Sequence, residues 1–230
     1  MDIKGFIRNS FVDWDGKVSA VIFLPGCTFR CGYCYNKPMV TGHEKIDSID
    51  FRQVEEHLGR NRGFVDGVVI TGGEPTIHDD LPVLIGKIRS MGYAVKLDTN
   101  GSNPEMLRKI ISGKMVDYIA MDIKAPLSKY SQAAGVSVDS GKIRKSIDLI
   151  KSGGIDYEFR TTVIPSFHGE DDIEDMARSI SGAGRYVLQK FVPKETIDAR
   201  LMCEPSPTSE YMERMKKAAE KHVASVILRE

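Results

Sequence analysis

Val18-Ser-Ala-Val-Ile-Phe-Leu24 is followed directly by Pro25-Gly26 and then by Cys27-Thr-Phe-Arg-Cys31-Gly-Tyr-Cys34. The first segment is apolar and rich in β-branched residues, so it predicts a buried strand. The Pro-Gly pair ends that strand, because proline lacks a backbone donor and glycine favours turns. Three cysteines with the spacing C-x3-C-x2-C therefore lie on one loop at the carboxyl end of a strand.

The alternation of strand and helix continues along the chain. Further strands are predicted at residues 65–71, 95–99, 118–123, 157–164 and 186–192. Helices are predicted between them at residues 51–58, 81–88, 104–111, 143–150 and 173–180. A last helix follows at about 209–222, and a strand-like segment at 223–228. Six successive strand–helix units predict right-handed crossovers and a parallel sheet, hence an α/β fold. The pattern fits an open doubly wound sheet, a barrel or a partial barrel, and in each of them ligands bind at the carboxyl ends of the strands.

The composition is typical of a globular protein and disfavours several other classes. The chain has 230 residues, with 32 Lys and Arg against 32 Asp and Glu, so a nucleic-acid binder that relies on bulk positive charge is disfavoured. No apolar run approaches the roughly 20 residues of a membrane span, and the chain starts without the apolar core of a signal peptide. We expect a cytoplasmic protein that binds neither nucleic acid nor membranes. We also expect a single domain over residues 1–230, with its core at about 18–192 and a C-terminal helix and tail at 193–230.

The cysteine loop indicates the chemistry. Only four cysteines occur, and three of them fall within eight positions, which favours metal or redox chemistry over a disulfide framework. Thiolates are the ligands of iron–sulfur clusters, and three of them hold three corners of a cubane while one iron stays open. The alternative is a structural zinc site completed by Cys203 or His43. Zinc sites favour two C-x2-C pairs, however, and the sequence has no second pair.

The cysteine spacing, with Tyr33 just before the last cysteine, resembles the signature of radical S-adenosylmethionine (SAM) enzymes. Gly72-Gly73-Glu74-Pro75, directly after the second predicted strand, is similar to the GGEP motif of that superfamily. The resemblance implies a partial (β/α)6 barrel of the TIM type as the fold. It also implies a [4Fe-4S] cluster on Cys27, Cys31 and Cys34, whose open iron binds the amino and carboxylate groups of SAM. The resemblance further implies that an electron from the cluster cleaves the sulfonium of SAM and yields methionine and a 5′-deoxyadenosyl radical.

The resemblance also implies which residues contact SAM. The Gly72-Gly73 pair lets the backbone approach the ligand closely, and the Glu74 carboxylate suits the methionine ammonium. Arg160 on the fifth strand suits either the SAM carboxylate or an ion pair with Asp122 or Glu158. The complete set predicted for cofactor binding is Tyr33, Gly72, Gly73, Glu74, Asp98, Thr99, Asp122, Lys124 and Arg160.

Longer segments resemble one branch of the superfamily, the activating proteins of anaerobic ribonucleoside-triphosphate reductases. The matching segments include residues 12–14, 69–75, 96–103 and 117–126. This resemblance implies that the partner is a glycyl radical enzyme, such a reductase in particular, and that a hydrogen atom is removed from a backbone glycine of that partner. It also implies an electron donor such as ferredoxin or flavodoxin.

Two positions depart from the pattern of that branch: Tyr35, beside the cysteine loop, and Asp15, where a proline is common. Cys203 lies outside every motif, so we expect a free thiol there. Two other interpretations stay open. One is a radical SAM enzyme that acts on a small molecule or a peptide, for example in deazapurine synthesis, and the other is a zinc-binding module without catalysis.

Overall fold

Eight strands follow one another across a single sheet in the order of the chain. The computed structural model describes residues 1–229, and the strands are β1 (Gly5–Ser10), β2 (Ser19–Leu24), β3 (Gly67–Gly72), β4 (Ala94–Thr99), β5 (Tyr118–Asp122), β6 (Asp156–Val163), β7 (Tyr186–Lys190) and β8 (Val226–Arg229). The β1 strand is antiparallel to β2, and every later pair of neighbours is parallel. Within the described residues no strand pairing joins β1 to β8, so the sheet forms a partial barrel that is not closed.

Helices connect successive parallel strands and pack outside the sheet. They are α1 (Lys37–Val40), α2 (Phe51–Arg60), α3 (Leu81–Ser90), α4 (Pro104–Ser112), α5 (Tyr130–Ala134), α6 (Ser140–Ser152), α7 (Glu170–Ser179) and α8 (Ser209–Glu220). Side-chain caps begin four of them, α2, α4, α6 and α8. In α2, for example, Asp50 accepts a hydrogen bond from Arg52 N at 2.9 Å, and in α4 Asn103 accepts one from Met106 N at 3.2 Å. Within residues 1–229, none of the helices has the length and apolar character that a membrane crossing requires.

The predicted α/β fold is confirmed, and its six parallel strands correspond to β2 through β7. The strand-like segment at 223–228 corresponds to β8. The sequence pattern does not predict β1, because only one of its six residues is buried and the periodic apolar pattern of a half-buried strand is therefore weak. It also missed α1 and α5, which have four and five residues and are too short to show a helical stripe.

Apolar side chains pack on both faces of the sheet, but the two layers differ in extent. The large core lies between the strands and the surrounding helices and contains fully buried residues from most strands, among them Ile22, Ile70, Leu97, Ile119 and Leu188. A second, small cluster consists of Trp14, Val21 and Val69. The other inward-pointing positions near the carboxyl ends of the strands are mostly polar, and they are available to form a site.

The loop between β1 and β2 closes the end of the barrel at which the parallel strands begin. Trp14 packs there against Gly67, where an added Cβ would lie 2.7 Å from the Trp14 ring. Asp15 forms ion pairs with Arg185, just before β7, and with Arg229 in β8, the latter at 3.0 Å. Partial burial opposes ionisation of Asp15, but the two guanidinium groups outweigh it and lower the pKa of this carboxyl. Asp15 therefore links the two sides of the open sheet.

Candidate active site

A cavity of about 340 Å³ opens at the carboxyl ends of the parallel strands. All twelve residues that the sequence predicted for the cluster and for SAM line this cavity, namely Cys27, Cys31, Tyr33, Cys34, Gly72, Gly73, Glu74, Asp98, Thr99, Asp122, Lys124 and Arg160. They come from five successive strands and the segments that follow them. Because parallel strands end at the same edge of a sheet, residues far apart in the chain meet there.

The cysteine loop after β2 presents three thiols to the cavity. Cys31 is buried, and Cys27 and Cys34 are half-buried. Burial raises the pKa of the Cys27 thiol to about 11 and also raises the pKa values of Cys31 and Cys34 above their ordinary range. The loop without metal therefore holds protonated thiols, and metal binding has to displace their protons.

Backbone hydrogen bonds hold the cysteine loop from both sides. Arg30 N donates to Ala134 O at 2.7 Å, and Gly26 N donates to Met39 O at 2.7 Å. The Arg30 guanidinium folds back onto the loop and donates to Cys27 O at 2.7 Å. The positions of the thiols are thus set by contacts with segments outside the loop itself.

The two glycines of the GGEP motif allow the end of β3 to press against the end of β2. A Cβ added to Gly72, whose φ is +124°, would lie 2.2 Å from Leu24 O, and one added to Gly73 would lie 1.8 Å from Gly26 O. No side chain fits either position. Glu74 N also donates to Gly26 O at 2.8 Å, so this contact brings the motif directly against the start of the cysteine loop.

The fully buried Glu74 carboxylate joins the ends of β3 and β4. Its Oε1 accepts from Thr76 N at 3.1 Å, from Thr76 Oγ1 and from Thr99 Oγ1 at 2.8 Å, and its Oε2 accepts from Asn100 N at 2.6 Å. Burial raises the pKa of Glu74 in spite of these hydrogen bonds. Because Oε2 has one partner within residues 1–229, it retains acceptor capacity for a ligand ammonium.

Four charged side chains form a row across the cavity, which we call the charged row: Asp98, Asp122, Lys124 and Arg160. Arg160 Nη1 donates to Asp98 at 3.0 Å, Arg160 Nε donates to Asp122 at 2.9 Å, and Lys124 Nζ donates to the other Asp122 oxygen at 2.9 Å. The second Asp98 oxygen, Oδ1, is buried and has no hydrogen-bond partner within residues 1–229; Lys96 Nζ lies 3.7 Å away. A buried acceptor without a partner is a candidate contact for a bound ligand.

Asp122 and Lys124 stay ionised over a wide pH range. Burial alone would raise the pKa of Asp122, but Arg160 and Lys124 outweigh it and hold this pKa at about 2. Burial likewise opposes the charge on Lys124, and the Asp122 carboxylate outweighs it, so the pKa of Lys124 lies well above its usual value. The Lys124 ammonium also lies 5.8 Å from the centre of the buried Tyr33 ring.

The donor set of the cysteine loop fits a cubane cluster. The three thiols come from one loop and line one cavity, and three thiolate ligands leave one corner of a cubane open. Within residues 1–229, no three Cys, His, Asp or Glu side chains gather closely enough to hold a single metal ion. The remote ligands that a zinc site would need, Cys203 and His43, do not line the cavity, and Cys203 is an exposed free thiol as expected.

The comparison with known families decides between these chemistries. The sequence profile of the Radical SAM superfamily matches residues 21–180, which is more than half of the chain. The chain belongs to the radical SAM superfamily. It is therefore an enzyme whose cofactors are a [4Fe-4S] cluster and SAM.

This radical SAM enzyme is similar to curated relatives with different described activities. It is 34% identical to a protein from Methanocaldococcus jannaschii that is described as a candidate glycyl-radical enzyme activating enzyme, over 99% of this chain and 95% of that protein. It is 29% identical to 7-carboxy-7-deazaguanine synthase from Neisseria meningitidis, over 60% of this chain and 59% of the synthase.

Among solved structures, the radical SAM chain is similar to Streptococcus suis SuiB bound to S-adenosylmethionine. The TM-score is 0.60 at 13% sequence identity, and the match covers 91% of this chain and 52% of SuiB. The chain thus spans about half the length of SuiB. At this identity the likeness concerns the fold alone, and it agrees with the partial barrel.

Two asparagines line the cavity although the sequence analysis did not select them. Asn36 Nδ2 donates to Gly72 O at 2.8 Å, and Asn100 Nδ2 donates to Cys27 Sγ at 3.7 Å. Each lies within two residues of a residue that was singled out, Cys34 or Asp98, and that adjacency was the available signal. Both asparagines connect the cysteine loop to neighbouring strand ends.

His168 is not among the predicted site residues, and in the structure it lies behind Lys124. The His168 ring is buried, and its Nδ1 accepts from Ile164 N at 3.1 Å. The other ring nitrogen then carries the proton and donates to Lys124 O at 3.0 Å. Burial lowers the pKa of His168, which keeps the ring neutral. His168 therefore positions the backbone of Lys124 without lining the cavity.

The segment after β7 fastens onto the cysteine loop through Tyr35. The Tyr35 ring stacks on Phe191 with a centroid distance of 6.0 Å and an interplanar angle of 12°. Its hydroxyl donates to Val192 O and accepts from Val192 N, both at 2.9 Å. Asp198 N donates to Gly32 O at 2.8 Å. The residue that departs from the branch pattern thus holds the C-terminal segment over the loop.

Proposed function

We propose that this radical SAM enzyme activates a glycyl radical enzyme by removing a hydrogen atom from a backbone glycine of that partner. The observation that carries the proposal is the 34% identity, over 99% of the chain, with the candidate activating enzyme of Methanocaldococcus jannaschii. The resemblance of residues 96–103 and 117–126 to reductase activators supports an anaerobic ribonucleoside-triphosphate reductase as the partner.

In this proposal Cys27, Cys31 and Cys34 bind three irons of the cluster. When bound, the cluster and SAM supply a one-electron cleavage that yields an organic radical able to take a hydrogen atom. The chain contributes a loop that is held by Ala134 and Met39 and closed on its outer side by Tyr35. Such a preformed loop keeps the three sulfur ligands in place, so little reorganisation accompanies cluster binding.

The charged row suits the zwitterionic amino-acid end of SAM. The carboxylate oxygens with spare acceptor capacity, Asp98 Oδ1 and Glu74 Oε2, are the proposed partners of the ammonium. The cations Arg160 and Lys124 are the proposed partners of the carboxylate. Because charges of both signs already lie in the cavity, both groups of the zwitterionic amino-acid end meet side chains of opposite charge there.

Aromatic side chains shield the site from water. Tyr33 and Phe29 line the cavity beside the cysteines and are 5% and 4% exposed. Trp14 fills the opposite end of the barrel and is also 5% exposed. Exclusion of water strengthens the electrostatic contacts of the charged row, and it protects a reactive species from side reactions.

Electron paramagnetic resonance spectroscopy tests the proposal directly. The anaerobically reconstituted enzyme is reduced with dithionite and incubated with SAM and the candidate reductase. We expect a glycyl radical doublet on the reductase, and we expect none on a reductase whose acceptor glycine is replaced by alanine. Loss of SAM without a doublet on any candidate reductase would overturn the proposed substrate.

A second candidate is a radical SAM enzyme that acts on a small molecule. The 29% identity with 7-carboxy-7-deazaguanine synthase favours this alternative, although it covers only 60% of the chain. Incubation with SAM and candidate small-molecule precursors of a deazapurine, followed by mass spectrometry of the products, separates the two candidates. Turnover of the small molecule in the absence of any protein partner would favour the second.

The role of Lys124 is tested by a matched pair of lysine variants. Lys124→Ala removes a cation from the cavity, whereas Lys129→Ala removes one that pairs with Asp172 away from it. We expect Lys124→Ala to weaken SAM binding about tenfold, which corresponds to about 1.4 kcal/mol, and Lys129→Ala to leave it unchanged. Equal dissociation constants for both variants, measured by calorimetry, would contradict the assignment.

A further inference from the structure

A groove runs along the outside of the barrel next to the cysteine loop. Thr28 and Ser102 line it on the side of the loop, and Glu105, Asp139, Lys142 and Lys145 line it on the side of α4 and α6. We call these six residues the α4–α6 groove. None of them lines the active-site cavity, so the groove is a second surface feature that shares only the loop with the proposed site.

Hydrogen bonds connect this groove to the sulfur of Cys27. Thr28 follows Cys27 in the chain, and Thr28 Oγ1 is 2.8 Å from Ser102 Oγ within the groove. Asn100 Nδ2 donates both to Thr28 Oγ1, at 3.0 Å, and to Cys27 Sγ, at 3.7 Å. A short path of covalent and hydrogen bonds, through Thr28 and the cavity-lining Asn100, therefore leads from the groove to a proposed cluster ligand.

The helices that border the groove carry an excess of positive charge. The helices α4 and α6 contain six Lys or Arg residues and two Asp or Glu residues, whereas the whole chain has 32 of each kind. The exposed cations include Lys109, Lys142 and Arg144, none of which forms an ion pair within residues 1–229. Glu105 is already engaged by Arg108 and Lys145, and Asp139 caps α6 by accepting from Gly141 N.

The opposite side of the cysteine loop is covered by this chain. Residues 191–204 lie against Gly32 and Tyr35, as described above, and Lys37 forms a further ion pair with Glu195 at 3.3 Å. The face of the loop that carries Thr28 is exposed instead. A protein that has to approach the cluster from outside meets positively charged helices on the groove side.

We propose that the α4–α6 groove is the docking site of an acidic one-electron carrier protein of the ferredoxin class. This inference rests on the proposed radical function, which requires one electron for each SAM that is cleaved. In the transfer, the reduced carrier loses one electron and the cluster on the cysteine loop gains it, and no proton or other group moves. Charge complementarity speeds such encounters and makes them sensitive to salt.

Two double variants with the same change in charge test the docking site. Lys142→Glu combined with Lys145→Gln alters the groove, and Lys217→Glu combined with Lys216→Gln alters α8, which lies outside both the groove and the cavity. The probe is a reduced two-cluster bacterial ferredoxin added to the reconstituted holoenzyme. Binding is measured by anaerobic calorimetry at low and high salt, and cluster reduction is measured by electron paramagnetic resonance.

We expect the groove variant to bind ferredoxin at least about tenfold more weakly at low salt and to be reduced more slowly by it, while the α8 variant behaves as the wild type. Reduction by dithionite, which needs no docking surface, should be equal in all three proteins. Equal ferredoxin binding by the two variants, or binding that does not respond to salt, would overturn the proposal. If the groove variant lost reductase binding but kept its ferredoxin binding, the groove would be the site of the substrate protein, and this result would also overturn the proposal.

The test separates this inference from the proposed function. SAM cleavage with dithionite as the reductant examines the radical chemistry alone, and it does not involve the groove. If that cleavage failed, the proposed function would fall, whereas ferredoxin affinity and its salt dependence would still decide the question of the groove. Circular dichroism of the exposed-lysine variants confirms that each is folded.

Discussion

Arg160 and Asp122 face each other directly across β6 and β5, and Arg160 Nε donates to Asp122 Oδ1 at 2.9 Å. The same guanidinium donates to Asp98 on β4 at 3.0 Å. One arginine thus holds two carboxylates that are both more than 70% buried, at a point where the three strands end. This one side chain therefore contacts both acids at the cavity, and Lys124 adds a second contact to Asp122 at 2.9 Å.

Removal of the Arg160 side chain should therefore destabilise the protein. Arg160→Ala leaves Asp98 with only Lys96, at 3.7 Å, and Asp122 with only Lys124, and loss of one partner of a buried pair costs about 3 kcal/mol or more. Chemical denaturation measures this free energy. The control is Arg52→Ala, whose pair with Asp50 is exposed to solvent and should therefore contribute little to stability. Similar losses in the two variants would contradict the argument.

The low pKa of Asp122 predicts a stability change in mild acid. Its folded pKa of about 2 lies below the ordinary value of 3.8, so its contribution is complete above pH 3.8 and is lost as the pH falls toward 2. The difference corresponds to roughly 2 kcal/mol. Urea unfolding between about pH 2 and about pH 6 should show a shallower pH dependence for Asp122→Asn than for the wild type. Parallel curves would show that the carboxylate is not stabilised as described.

Glu74 should matter for stability as well as for ligand binding. Glu74→Ala removes the acceptor of four hydrogen bonds and leaves the buried amide of Asn100 without its partner. Each unsatisfied buried group costs about 1–3 kcal/mol, so we expect a loss of at least about 2 kcal/mol in denaturant unfolding. Glu55→Ala on the exposed face of α2 is the comparison and should change stability by less than about 0.5 kcal/mol. A Glu74→Ala variant as stable as Glu55→Ala would show that the hydrogen bonds of Glu74 do not stabilise the ends of β3 and β4.

Two glycine substitutions should shift stability in opposite directions. A Cβ at Gly67 would meet the Trp14 ring at 2.7 Å and Ala94 O at 2.9 Å, so Gly67→Ala should destabilise by about 1–3 kcal/mol. Gly59 in α2 has open space around it, and Gly59→Ala should stabilise the helix by about 0.5–1 kcal/mol. Thermal unfolding of both variants tests the packing of Trp14 against β3. An unchanged melting temperature for Gly67→Ala would mean that Trp14 does not pack tightly against β3.

Cysteine variants test the ligand assignment. Cys31→Ala should abolish cluster assembly and SAM cleavage, because two remaining thiolates on the loop do not hold the three corners. Cys203→Ala should assemble the cluster normally, since Cys203 is exposed and lies outside the cavity. Iron and sulfide content after anaerobic reconstitution is the measurement. Equal loss of iron in both variants would show that Cys203 is a ligand.

The sequence alone determined the succession of strands and helices and the presence of three thiols on one loop. Both follow from local information, because periodicity within ten residues distinguishes strands from helices and the spacing of the cysteines fits a known ligand set. It also placed all the predicted site residues at strand ends, and in a parallel sheet such residues meet at one edge. The edge strand β1 was not predictable from the sequence, because its apolar periodicity is weak.

Only the tertiary structure decided which of these side chains pair. The sequence left Arg160 open between SAM and a structural ion pair, and the fold pairs it with Asp122, 38 residues away, and with Asp98, 62 residues away. Asp15 and Tyr35 looked like departures from a pattern. In the fold Asp15 links the β1–β2 loop to Arg229, and Tyr35 holds Val192, over separations of 214 and 157 residues. Such contacts leave no local signal, because their partners become neighbours only when the sheet curves.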